Sequence, residues 1–436
     1  MEEKVSSSNV FKDLIPLFAV EIIILTLLNF ANLSLVYRIM AIAIMAVAIM
    51  PIIKALPKNK TIIPLCLEVV TLLLYLLLSS CFGQIAYHDF LLSISVILGG
   101  LGFFTLGAYY GLFKDKKTSF ANILSGIYIG LGLFSVISLI ATIYGMGRAF
   151  HAIHFANPLY GAQNALIYQA RIITNIFSDL DFTSAVPNQF GVALLGNFSL
   201  LAASGIYVTL FTDRKINKFL WYGSLLGGLC GLSAIILIPI VFAMVLFIIG
   251  LVPCLLIRFK NKNTKYYLIA FGVLVLLLAG LYLFFRVDYH MHSEKYANMN
   301  YILKEFLMQQ IGITRYTSGT KFMFENKVAF VGTLLPSDYT YVTSGNLLLD
   351  VLYQSGILPF IMIVAFFGLM VFEFIKYLKK DDELNIKVAV TSLAILFVIT
   401  LLINYVGLLL IENFVFLGML VVFGYVSTSS LKKINE

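Results

Sequence analysis

The sequence predicts an all-α polytopic membrane protein with about twelve transmembrane helices and both termini in the cytoplasm. Composition, the lengths of the apolar stretches and the distribution of basic residues each support this fold class. Of the 436 residues, 60% are hydrophobic and 12% are charged, whereas soluble proteins carry about 25% charged residues. A water-soluble core cannot bury so much apolar surface, so most of the chain is expected to lie in the bilayer.

The apolar stretches have the lengths of membrane spans, about 17 to 25 residues each. The stretch 219–257 is too long for one span and is divided at Pro239. The predicted spans are 14–33, 35–55, 62–82, 90–113, 119–144, 189–211, 219–235, 237–257, 266–285, 355–375, 388–410 and 413–430. Together they predict a single transmembrane domain, 1–436.

Basic residues predict the orientation of these spans. Every even-numbered connection carries lysine or arginine, as in Lys54, Lys58 and Lys60 after the second span, and the short odd-numbered connections are nearly free of both. Under the positive-inside rule both termini are then cytoplasmic. Two long segments fall on the outer side, an outer loop at 145–188 and a larger one at 286–354 between spans nine and ten. Long loops in a compact bundle are usually functional.

The two predicted outer loops are rich in arginine and histidine. Five of the seven arginines and all five histidines fall on the outer side, whereas lysine shows the reverse distribution. The positive-inside rule does not explain this split, because it would deplete outer arginine as well. Arginine binds phosphate through two parallel hydrogen bonds, and histidine accepts protons near neutral pH. These residues predict a site for a phosphate-bearing substrate with proton transfer. Alternatively, they reach lipid headgroups or pair with acidic neighbours, namely Asp179, Asp181, Asp288 and Glu294.

Three carboxylates fall within predicted spans, Glu21, Glu68 and Glu373. Intramembrane acids are functional candidates by default. Glu373 is near the inner end of its span and is expected to reach water. Glu21 and Glu68 lie deeper, where they could carry protons in a coupled transporter or hydrogen-bond across helices.

No pattern in the sequence indicates a cofactor or a metal. The four cysteines lie in apolar runs without close pairing, and no phosphate-binding glycine loop is present. The predicted inner loops are too short to hold a nucleotide-binding domain. An enzyme of this design would therefore need a substrate that is already activated and bound to the membrane.

Glycine spacing predicts close helix contacts in two spans. Gly126 and Gly130 form one small-residue step in the fifth span, and Gly223, Gly227 and Gly231 form two overlapping steps in the seventh. Such steps let helix backbones approach closely in a membrane.

Three segments of the chain resemble motifs of the O-antigen polymerase and ligase superfamily. The first is Ala185–Gly191, whose Pro-Asn pair includes Asn188. The second is Arg315 followed by Phe330–Gly332. The third combines Ser344–Asp350, which contains Asn346, with Gln354–Phe360. Their order and predicted topology agree with the family over about 120–380.

The chain departs from that family at two positions. Gly345 stands where ligases carry a histidine, so the resemblance favours a polymerase over a ligase. The segment Leu232–Ile235 keeps the serine of a family Ser-Arg-Gly segment but lacks its arginine.

The resemblance implies a repeat-unit polymerase for a capsular or other surface polysaccharide in the bacterial cytoplasmic membrane. Such an enzyme is a metal-independent glycosyltransferase without a cofactor, whose donor is an oligosaccharide linked to undecaprenyl pyrophosphate. The implied partners are this lipid-linked oligosaccharide, membrane lipids, and a chain-length regulator and a flippase of the same pathway, with no nucleic acid. The alternative function is a lipid-linked oligosaccharide flippase or another secondary transporter.

The candidate site combines these motifs with the outer arginines and histidines. The predicted substrate-binding residues are Arg148, Arg171, Arg286, Arg315, His154, Asn188 and Asn346. Since Gly345 has no side chain, the general base is expected among His290, His292 and Asp338.

The two outer loops are expected to enclose this site together. The larger loop is expected to re-enter through a short interfacial helix at 346–353 before Gly356 begins the tenth span. The loops should then close over a cavity that opens sideways to the outer leaflet, with Arg171 and Arg315 within about 20 Å of each other around one pyrophosphate.

Overall fold

A computed structural model describes part of the chain. The described residues are 63, 65–71, 74, 101, 103–113, 117–152, 189–215, 217–237, 241–258, 266, 270, 273, 277, 281, 284–285, 288, 291–298, 347–348, 351–352, 356–380, 383–403 and 414–431. Throughout this part the regular structure is helical, and it contains no β-strand.

Eight α-helices have defined bounds at both ends within the described residues. In chain order they are α1 (Lys117–Ala152), α2 (Gln189–Ala203), α3 (Gly205–Phe211), α4 (Lys218–Leu237), α5 (Val241–Arg258), α6 (Ile357–Lys379), α7 (Leu384–Ile403) and α8 (Phe414–Ser429). Residues 65–71 and 103–112 are helical as well, as are all the described residues from 266 to 291. A short 3-10 helix follows at Ser293–Tyr296.

Four helical segments of the described part are long and apolar enough to cross a membrane: Lys117–Val136, Lys218–Leu237, Ile357–Lys379 and Leu384–Leu402. Large apolar side chains remain exposed along α6, among them Ile361, Val371 and Phe372. A helix face of this kind is stable in contact with lipid. The protein is therefore a helical membrane protein, while the count of twelve spans and the position of the termini stay predictions.

Several predicted spans coincide with observed helices. The division at Pro239 is confirmed, because α4 ends at Leu237 and α5 begins at Val241. Gly356 directly precedes α6, as expected, and has φ 85° and ψ −174°. That backbone conformation is essentially restricted to glycine. The first two predicted spans lie outside the described residues.

Two helices continue beyond the span ends that the sequence predicts. Helix α1 continues to Ala152, although the outer loop is predicted to begin at 145. Helical conformation also continues to Met291, past the predicted start of the larger loop at 286. At about 1.5 Å per residue, each extension adds roughly 10 Å of helix beyond the predicted span.

The sixth predicted span contains a break that its sequence pattern does not reveal. Ser204 separates α2 from α3, and its hydroxyl donates a hydrogen bond to the Leu201 carbonyl at 2.7 Å. Tyr207 N–H donates to the Ser204 carbonyl, three residues back, at 3.0 Å. A serine that bonds to its own helix backbone commonly bends the helix at that point.

Glycines on α4 allow this helix to lie directly against α1. A Cβ atom at Gly227 would stand 2.1 Å from the Tyr128 carbonyl oxygen, and one at Gly223 would stand 1.9 Å from the Ser125 hydroxyl. Gly231 meets α2 in the same way, 2.5 Å from the Ser199 carbonyl oxygen. The close packing predicted for the seventh span is confirmed.

Polar contacts bring together helix ends that the basic residues place on one side of the membrane. Thr428 near the end of α8 donates to the Ala108 carbonyl at 2.9 Å. Ser430 donates to Glu373 of α6 at 3.1 Å, and Lys380 donates to the Ser429 carbonyl. The fourth, tenth and twelfth predicted spans therefore end at one edge of the bundle, as the alternation requires.

Candidate functional site

The candidate outer site begins on the helix of the ninth predicted span. Large apolar side chains along this helix are exposed at intervals of about four residues, including Val273, Leu277 and Leu281. This spacing forms one apolar face, which suits contact with lipid. The polar residues Asp288 and His292 follow where the helix leaves the predicted span, and the chain then enters the 3-10 helix Ser293–Tyr296.

Asp288 and His292 are held together by their spacing of four residues. The His292 N–H donates to the Asp288 carbonyl at 2.8 Å, which completes the last helical turn. Side chains four residues apart lie on the same helix face. As a result, His292 Nδ1 is 2.8 Å from Asp288 Oδ1.

Two further residues of the short 3-10 helix meet the same carboxylate. The Tyr296 hydroxyl donates a hydrogen bond to Asp288 Oδ2, and Lys295 Nζ lies 3.8 Å from Asp288 Oδ1. The hydrogen bonds from Tyr296 and His292 lower the pKa of Asp288, and Lys295 adds to this effect. The same bond raises the pKa of Tyr296, because it favours the protonated phenol.

An ionised Asp288 determines how the His292 ring is protonated. A carboxylate only accepts hydrogen bonds, so the proton of the neutral ring lies on Nδ1. Nε2 then carries the free lone pair, and within the described part of the chain it has no hydrogen-bond partner. The His292 side chain is 49% exposed. The geometry therefore presents an oriented imidazole that can accept a proton from a bound molecule.

The structure places only part of the predicted site. Arg148 lies in the last turns of α1, on a helix and not in a loop, and its side chain is outside the described part. His292 is the one predicted residue whose contacts are described. The other predicted residues lie outside the described residues: His290, Asp338, Arg171, Arg286, Arg315, His154, Asn188 and Asn346.

The segment that was expected to re-enter the membrane is helical where it is described. Residues 347, 348, 351 and 352 are in helical conformation, and Leu347 and Val351 are buried. These two residues lie four apart and therefore form one apolar face. The depth of this segment in the membrane stays a prediction.

The roles of Asp288 and Tyr296 were not fully predicted from the sequence. Asp288 was considered only as an acidic partner for outer cations, and Tyr296 was not considered. The signal that could have identified them is the spacing of four from Asp288 to His292 and again from His292 to Tyr296. This pattern places all three on one side of a helix that continues as a 3-10 turn.

A metal is not indicated by the described residues, which include no group of three or more histidine, cysteine, aspartate or glutamate side chains suited to hold one. His292 and Asp288 alone would supply two ligands, fewer than the usual protein sites for zinc.

The fold and this arrangement define a class of protein, a helical membrane protein with a carboxylate-oriented histidine beyond the end of one span. Comparison with known proteins adds no name to this class: no family model matches the chain, and no curated protein matches it. The family suggested by the three sequence motifs accordingly stays a prediction.

Proposed function

We propose that the protein is a polymerase that joins undecaprenyl-pyrophosphate-linked oligosaccharide repeat units into a surface polysaccharide on the outer face of the bacterial cytoplasmic membrane. The observation that carries this proposal is His292, whose ring is oriented by Asp288 and left free at Nε2. Polymerisation of sugars needs a base at this side of the membrane, since the acceptor is a neutral hydroxyl.

The reaction requires one proton transfer and one substitution. His292 Nε2 accepts the proton of an acceptor hydroxyl on the new repeat unit. The hydroxyl oxygen forms a bond to the anomeric carbon of the growing chain, while the bond from that carbon to the pyrophosphate oxygen breaks. The proton ends on His292, and Asp288 stabilises the resulting imidazolium before the proton passes to the released pyrophosphate or to water.

The leaving group explains the expected role of the outer arginines. A lipid pyrophosphate gains negative charge as the bond breaks, and arginine stabilises such charge through paired hydrogen bonds. Arg148 is at the extended end of α1, beyond the predicted span. This position suits a headgroup that stays attached to a lipid in the outer leaflet.

A second candidate function is a proton-coupled flippase or another secondary transporter. The observation in its favour is Glu68, a carboxylate that is fully buried and accepts no hydrogen bond from any described residue. Buried ionisable groups of this kind often belong to proton pathways in transporters.

Cells that lack the protein distinguish the two functions. For a polymerase, single repeat units on the lipid carrier should accumulate on the outer leaflet, and long polymer should be absent. If the outer leaflet instead contains no lipid-linked units, the protein moves them across the membrane and the proposal fails.

A further inference from the structure

A second charged cluster lies inside the bundle, where residues 65–71 meet α6 and α8. Glu68 is fully buried, and neither of its carboxylate oxygens accepts a hydrogen bond within the described part of the chain. Glu373 of α6 is also buried, with 1% exposure. The sequence predicts that Glu373 reaches water, and this is wrong, because α6 and the end of α8 cover its side chain.

The two carboxylates differ in their partners. Lys376 Nζ lies 2.8 Å from Glu373 Oε1, and the Ser430 hydroxyl donates to Glu373 Oε2 at 3.1 Å. Ser427 is the nearest hydroxyl to act on Glu68, but it donates its single hydrogen to the Phe423 carbonyl at 2.9 Å. Glu373 is therefore compensated by a cation and a hydrogen bond, whereas Glu68 is not.

Burial without a partner determines the charge of Glu68. An isolated carboxylate in an apolar interior costs several kcal/mol, roughly, so the group is stable there only as the neutral acid or beside a cation. The charged groups of the described chain that act on Glu68 are Glu373 and Lys376. One lysine thus serves two buried carboxylates.

We propose that Glu68 is a proton-binding site that shares Lys376 with Glu373. In one state, Glu68 carries the proton and Lys376 neutralises Glu373. In the other, the Lys376 ammonium turns to Glu68, and the proton moves from Glu68 to Glu373. No net charge is created or lost in this exchange, so the bundle interior does not have to hold an uncompensated charge.

The cluster exchanges protons with the side of the membrane where α6 and α8 end. Lys376 is 42% exposed, although its partner Glu373 is buried, so the ammonium connects the pair to solvent. The basic residues predict that this side is the cytoplasm. The proposal does not rest on the proposed polymerase function, because it concerns the charge state of the folded protein alone.

Infrared spectroscopy of the full chain in lipid nanodiscs tests the site, because a protonated carboxyl has a C=O band that a carboxylate lacks. We expect this band at neutral pH in the unmodified protein and its loss, by one carboxyl per chain, in Glu68→Gln. Glu373→Gln should also diminish the band, since Lys376 is then free to pair with Glu68. The double variant Glu373→Gln with Lys376→Met should restore it.

Two outcomes would overturn the proposal. A band unchanged in Glu68→Gln would show that Glu68 is not the protonated group, and a band unchanged in Glu373→Gln would show that Lys376 is not shared. Size-exclusion chromatography and circular dichroism confirm that the nearly isosteric variants are folded. Spectra in sodium and in choline salts should agree, and a band lost only in sodium would mean that a metal cation occupies the site instead.

Discussion

The protein holds two charged clusters that are built in opposite ways. The outer cluster around Asp288 comes from one short stretch of chain, and its contacts join residues four to eight positions apart. The inner cluster around Glu373 comes from helices far apart in sequence: Glu68 precedes it by about three hundred residues and Ser430 follows it by 57. Histidine and lysine in the outer cluster are largely exposed, whereas both glutamates of the inner cluster are buried.

This difference separates the energetic cost of the two clusters. Exposed pairs contribute little to stability, since water already solvates both charges. A buried pair has lost that solvation, so the loss of one partner leaves the other uncompensated. The outer cluster is therefore free to change its protonation during a reaction, whereas the inner cluster is bound to the stability of the bundle.

The largest expected effect is at Lys376. Lys376→Met should lower the free energy of unfolding at neutral pH by about 3 kcal/mol, because buried Glu373 loses its cation. Thermal unfolding in one detergent measures the change. Lys379→Met is the matched control, since Lys379 is an exposed lysine of the same helix, and it should change stability by less than about 0.5 kcal/mol. Equal losses in both variants would show that the Glu373 pair does not matter.

A smaller effect is expected at the contact of α1 with α4. Gly227→Ala places a methyl group 2.1 Å from the Tyr128 carbonyl oxygen, so the helices must separate, at a cost of about 1–3 kcal/mol. Gly368→Ala is the control on α6, where an added methyl group has no atom within 4 Å. That variant should be neutral or stabilising by up to about 1 kcal/mol, because alanine favours the helix over glycine. Thermal unfolding of the two variants should differ in sign or size, and equal destabilisation would contradict the packing.

The smallest effect is the response of the outer cluster to acid. Because the pKa of Asp288 is lowered in the folded protein, its stabilising contribution is complete above the ordinary carboxyl range, about pH 4, and is lost as the pH falls through the lowered value. Hydrogen exchange of the amides of His292 and Lys295 should show weaker protection at low pH. Asp288→Asn should remove that dependence, whereas Glu294→Gln should preserve it. Protection that is independent of pH in the unmodified protein would contradict the Asp288 contacts.

The sequence predicts the helices better than the contacts between them. Long apolar stretches identify the spans, and Pro239 correctly marks the division between α4 and α5. The break at Ser204 was missed, because it depends on one local hydrogen bond within an otherwise apolar helix. The continuation of α1 to Ala152 was missed for a related reason, since hydropathy reports the bilayer boundary and not the end of the helix.

Contacts across helices could be predicted only on one side. The glycines of α4 are a recognisable stripe, but the partner Gly132, whose added methyl group would lie 2.6 Å from the Gly227 Cα, is outside the predicted Gly126–Gly130 step. The burial of Glu373 likewise depends on Ser430 and the end of α8, which no spacing in α6 reveals. The Asp288 cluster is local, and its four-residue spacing made it accessible to sequence analysis, although only His292 was selected.

The central claim is that His292, oriented by Asp288, accepts the proton of the acceptor sugar. Its most direct test is the rate at which the purified, reconstituted protein forms polymer from lipid-pyrophosphate-linked repeat units. His292→Ala should lower this rate by about 10²–10⁴-fold, Asp288→Asn should lower it by a smaller factor, and Glu294→Gln, an exposed carboxylate of the same short helix, should leave it unchanged. Polymerisation by His292→Ala at the rate of the unmodified protein would contradict the account.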